Sequence, residues 1–120
     1  MAARGAGAHP VDRDFVRRFK SAVGWFGDEL FDVQDPAVRR AIDRGERPTA
    51  DPITRANWND PRWGEQPITD YPLSGAHEDL PESLMAYIYA PELLRARSPA
   101  RHRFFAEHRS RWAPILAAPR

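Results

Sequence analysis

The chain has 120 residues, 42% apolar and 29% charged, with a net charge of +1. That is enough for one domain, or part of one, with a modest core, and it gives no global field that would select nucleic acid or an acidic membrane. Cysteine is absent, which removes disulfides and thiolate metal sites, and no apolar run approaches the roughly 20 residues that span a bilayer.

Residues 1–10 are small and unpatterned and read as a disordered tail. They lack the apolar block of a signal peptide, so the compartment is unknown, the cytoplasm being expected unless a dedicated secretion system exports the chain. The remainder, 11–116, reads as a single domain or a partial one. A first helix is expected from Val11 or Asp12 to Val23. Phe15, Phe19 and Ala22 fall at i, i+4, i+7 with Val16 and Val23 alongside, and Arg13, Arg17 and Lys20 lie on the opposite side. Gly24 ends it. Asp35-Pro36 starts a second, short helix over 36–44, Asp as N-cap and Pro at the first helical position. Val38 and Ile42 face inward, and Gly45 closes it. These elements make 11–45 helical.

Residues 46–77 form a loop rich in proline and tryptophan. Trp58 and Trp63 sit within it, which predicts an ordered loop packed by its own aromatics. Three helices are expected over 78–113. The first, 78–89, carries Glu78 and Asp79 at its dipole-positive end, and Pro81 is expected within its first turn. Leu80, Leu84 and Ile88 line one face; Glu78, Glu82, Met85 and Tyr89 line another. Pro91 and Pro99 open the next two helices. In the last, Arg101, Phe104, Phe105, His108 and Trp112 form a stripe, and Pro114 is expected to stop it. The fold class is mainly α, with short proline-started helices and one long ordered loop.

Glu78 and Glu82 stand one helical turn apart, so their carboxylates share a face. Such a pair can hold a metal, or one carboxylate can fix the other's neighbour; it is also a common solvated pattern. The segment Tyr71-Pro-Leu-Ser-Gly-Ala-His-Glu78-Asp-Leu-Pro-Glu82-Ser-Leu resembles the downstream half of the zinc peptidase domain of lethal-factor-type bacterial toxins, within the gluzincin class. That family has a tyrosine, seven residues later an E-D-F-A-E-S-F-type helix, then a proline-started helix and an aromatic final helix. Pro91-Glu-Leu-Leu-Arg and Ser98-Pro-Ala-Arg-His-Arg-Phe-Phe continue the pattern. The likeness spans about 70–109 and is loose upstream.

The resemblance implies a C-terminal subdomain of a zinc metallopeptidase. It makes Glu78 the third zinc ligand, Glu82 the carboxylate supporting the zinc-binding histidines, and Tyr71 the donor to the oxyanion of the tetrahedral intermediate. Leu80 stands where the family has an aromatic and Pro81 where it has alanine. The larger departure is the family's H-E-x-x-H, which supplies two zinc ligands and the general base. None of His9, His77, His102 and His108 pairs at i, i+4. His77 is expected to point away from Glu78, His102 to be exposed, and His108 to be a satisfied core histidine. Zinc is therefore expected only if a segment or chain bearing H-E-x-x-H completes the site, with a peptide or protein as substrate, and activity is not expected of the chain alone. The alternative is a non-catalytic protein-interaction module, or a degenerate enzyme that keeps the scaffold. Arg95, Arg97, Arg101, Arg103, Arg109 and Arg111, interrupted by Glu92 and Glu107, read as a solvated face and not as a nucleic-acid stripe.

Overall fold

The computed structural model describes residues 13–117. The expected tail and the expected start of the first helix lie outside them. Helix α1 runs Arg13–Val23 and buries Phe15, Phe19 and Val23; of the expected stripe Phe15 and Phe19 are buried, whereas Ala22 and the flanking Val16 are half-buried. It ends at Gly24, whose φ is +112°. A Cβ there would meet the Phe31 carbonyl oxygen at 2.1 Å, so no other residue lets the chain double back this tightly. The chain then forms a small antiparallel hairpin that the sequence reading did not anticipate, β1 (Trp25–Phe26) against β2 (Glu29–Leu30). Gly27 has φ +60° and opens its two-residue turn, the position a II′ turn reserves for glycine. On its other edge β2 makes a single bridge from Leu30 to Ile53, which pins the start of the long loop.

Helix α2, Pro36–Asp43, begins as the sequence predicts: the Asp35 carboxylate accepts from the Ala37 N–H at 2.9 Å. Val38 and Ile42 are buried with Phe31 in a small second core. The loop after it is held by side chains. The Trp63 indole N–H donates to the Asn57 carbonyl at 2.8 Å, and Asp32 accepts from the Gly64 N–H at 2.8 Å. Trp58 and Trp63 pack against the main core, so the loop is ordered by the domain's aromatic interior and not by its own aromatics alone.

The last third is helical: a 3₁₀ turn at Tyr71–Ser74, then α3 (Ala76–Tyr89), α4 (Pro91–Arg97), α5 (Pro99–Glu107) and α6 (Arg109–Ala117). Two boundaries differ from expectation. The Gly75 carbonyl accepts from the N–H groups of Glu78 and Asp79, so α3 starts two residues early and Pro81 falls inside the helix. There it leaves the His77 carbonyl without its i+4 donor. The last helix is also two. The chain breaks at His108, and Pro114 lies inside α6 without ending it. The apolar stripe survives the break: Phe104, Phe105 and Trp112 are all buried, packed with Phe15 and Phe19 of α1. The architecture is mainly helical, with α1, α3 and α5 meeting around this aromatic core. Among the described residues no helix is long and apolar enough to cross a membrane.

Candidate functional site

The three residues singled out in sequence do come together. Tyr71, on the 3₁₀ turn, donates its hydroxyl to Glu78 Oε1 at 2.7 Å. Glu78 and Glu82 both lie half-buried on the outer face of α3. That face continues into Met85, 50% exposed, and Tyr89, 74% exposed, with Leu93 of α4 exposed nearby in sequence. The Tyr71 phenol is pushed above its ordinary value of 10.0. The first cause is its hydrogen bond to Glu78; the negative charges of Glu78 and Glu82 add to it. Tyr71 is therefore a neutral donor at neutral pH.

This fixes the sign of the pH dependence. The phenol's contribution to stability is complete below its ordinary value and is lost as pH rises through the raised one. Replacing Glu78 with glutamine should bring the Tyr71 titration down toward 10, and Glu82→Gln should lower it less. A carbon NMR titration of labelled tyrosine checks both. Equal titration of Tyr71 in parent and Glu78→Gln would remove the hydrogen bond from the account.

His77 does not point away from Glu78. Its Nε2 lies 3.7 Å from Glu78 Oε2, beyond hydrogen-bond reach but within ionic reach. Its ring folds back over Gly75, where a Cβ would meet the imidazole at 2.8 Å; adjacency in the first turn and a bare Gly75 backbone allow this return. His102 is half-buried, its ring 5.1 Å from that of Tyr87. His108 is half-buried, with Nδ1 2.8 Å from the Phe104 carbonyl and its ring stacked on Phe104.

The side chains of the described residues do not complete a zinc site by themselves. Among the described residues no three His, Asp or Glu side chains gather as a metal-holding group. A catalytic zinc takes three protein ligands and keeps an open position. Glu78 is one carboxylate, and one of its oxygens already accepts from Tyr71.

The strongest polar cluster lies on the buried flank of the same helix, and sequence reasoning missed it. Asp79 and Arg101 form a salt bridge with both side chains 0% exposed. Arg101 donates from Nε to Asp79 Oδ1 at 3.0 Å and from Nη2 to Oδ2 at 2.6 Å, a two-pronged fit suited to a planar guanidinium. Asp79 also accepts from the Trp25 indole at 2.8 Å and from the Ser83 hydroxyl at 2.6 Å. Arg101 Nη1 donates to Ser98 Oγ at 3.1 Å, and Ser98 in turn donates to Glu65 Oε1 at 2.6 Å. Glu65, itself buried, accepts from the Ala100 N–H and from the Gln34 side chain as well.

This cluster ties the hairpin, the long loop, α3 and α5 together. It also fixes the rotation of α3. Asp79 succeeds Glu78 by about 100° around the helix, so anchoring Asp79 inward turns Glu78 outward. The sequence groups Arg101 with the solvated arginines, whereas in the fold it is among the most buried side chains described. Its place on a phenylalanine stripe was the available signal, since a charge there requires a buried partner.

Comparison with protein-family models, curated proteins and solved structures finds no match for this chain.

Proposed function

We propose that the outer face of α3 is a docking face for a second polypeptide segment, and that the segment is one bearing H-E-x-x-H. Together they would make a zinc-peptidase-type site to which this chain contributes Glu78 as ligand, Glu82 as supporting carboxylate and Tyr71 as donor. The observation that supports the reading is the 2.7 Å hydrogen bond from Tyr71 to Glu78, which holds donor and carboxylate at one point of an open face. Zinc, when held by such a combined site, would supply an activated water. The chain's own part is to place a carboxylate and a protonated phenol.

Calorimetry with zinc tests this, using the chain alone and the chain mixed with a synthetic helical peptide bearing one H-E-x-x-H. Uptake is expected only in the mixture and is expected to vanish with Glu78→Ala. Glu82→Ala should weaken it by roughly 10–100-fold, the usual cost of removing a supporting group. Tyr71→Phe should leave zinc bound and slow any peptide hydrolysis, because only a transition-state donor is lost. Equal zinc uptake by Glu78→Ala and parent would sink the ligand assignment.

A second reading has its own support. Exposed Met85 and Tyr89 extend the face beyond anything a metal site needs, as a non-catalytic interaction module would. Peptide binding in the mixture without any zinc uptake favours that reading.

A further inference from the structure

An open groove of about 530 Å³ runs between α1 and the hairpin. Its floor is apolar, with half-buried Val16 and Phe26 and buried Ile42. Its rim is cationic: Arg13, Arg17 and Lys20 line it, and no acidic side chain does. The three cations stand at i, i+4, i+7 of one helix, a rail about 10 Å long at 1.5 Å per residue. Asp14 is the nearest acid in sequence, and it is already engaged by Arg17 and Arg18. Among the described residues Arg13 and Lys20 have no acidic partner.

A closed cavity would take a small molecule enclosed on most sides. An open trough with one apolar floor and one charged rail instead suits a chain segment, with its anchor side chain below and its charges alongside. The volume accommodates one or two large side chains. Acidic groups three and four residues apart on a helical segment are 5–6 Å apart, which matches the spacing of the rail.

We propose that this groove binds a short acidic peptide segment through one large apolar anchor, with Arg13, Arg17 and Lys20 pairing with its carboxylates. The site is independent of Tyr71, Glu78 and Glu82, and it stands or falls separately from the α3 face.

The test is fluorescence anisotropy at low salt with a labelled peptide in which a Leu-Phe pair is flanked by Glu and Asp on both sides. Binding by the full chain is expected, weakening as salt rises because the rim pairs are exposed. The double variant Arg13→Gln, Lys20→Gln should weaken binding by about tenfold or more, while Arg95→Gln, on α4 and outside the groove lining, should not. Loss of binding when the Leu-Phe pair is replaced by alanine supports the anchor. These substitutions are at side chains at least partly exposed, and a thermal melt confirms that each variant is folded.

The proposal is overturned by equal affinity for a lysine-flanked peptide, by an unchanged double variant, or by no binding at millimolar peptide. Binding of dodecanoate without binding of the peptide overturns it too, assigning the groove to small amphiphilic anions. So does a dimer in sedimentation that the peptide fails to dissociate, which would make a second copy the occupant.

Discussion

Arg101→Ala should cost the fold about 3–5 kcal/mol, the usual result of removing one partner of a buried ion pair. Against a typical total of 5–15 kcal/mol that removes between about a fifth and all of the stability. The cause is the charge left behind. Asp79 would keep only Trp25 and Ser83 as donors, too few for a carboxylate with no water. Asp79→Ala should be comparable, because it strands the guanidinium and the Trp25 indole N–H together. The double variant Asp79→Leu, Arg101→Met should cost less than the sum of the two single changes, since it leaves no unpaired charge. Urea unfolding of the three variants measures this. A loss under about 1 kcal/mol for Arg101→Ala would mean the pair is hydrated and worth no more than a surface bridge. The same experiment bears on function. If Asp79 sets the rotation of α3, any binding at Glu78 should fail in the double variant even where it remains folded.

Local signals in the sequence were sufficient where one residue type answers one backbone need. Asp35-Pro36 placed α2, and the Phe15/Phe19 spacing marked the buried face of α1, although Ala22, its expected third member, is half-buried and the flanking Val23 is fully buried. The hairpin was missed because its strands are two residues each, too short for any alternation to register, although the Gly27-Asp28 pair between Trp-Phe and Glu-Leu is a turn signal. The early start of α3 was missed because Gly75, not a polar cap, opens it. The buried cluster was beyond reach for a different reason. Glu65, Asp79 and Arg101 are separated by 14 and 22 positions, and a charge reads as solvated until its neighbours in space are known. Arg101 alone advertised its burial, through the phenylalanines one turn further along the helix.

Glu65→Ala should release the long loop from the α4–α5 junction, at a cost of about 3 kcal/mol or more. One carboxylate accepts from the Ser98 hydroxyl, the Ala100 N–H and the Gln34 amide, and a buried donor left without an acceptor costs roughly 1–3 kcal/mol. Ser98 could then turn its hydroxyl elsewhere, and the Arg101 Nη1 bond to it would weaken too. Titration supplies the finer test. Burial pushes the Glu65 carboxyl above its ordinary 4.5, against the pull of Ser98, Gln34, Arg101 and Ala100. The folded chain therefore holds this proton at pH values where the unfolded chain has lost it. Its contribution to stability is complete below 4.5 and declines as pH rises through the raised value. Asp14 and Glu29 act in the opposite sense, because hydrogen bonds from Arg18 and Arg47 lower their carboxyls. Comparing parent with Glu65→Gln across the acid range cancels their effect. The amide cannot titrate and can offer only one oxygen to those donors, so Glu65→Gln should be less stable than parent at every pH. The gap should widen as pH falls from neutral toward 4.5. Urea melts at stepped pH measure the gap, and a gap that narrows on acidification would mean that the carboxylate, not the acid, is the better-held form.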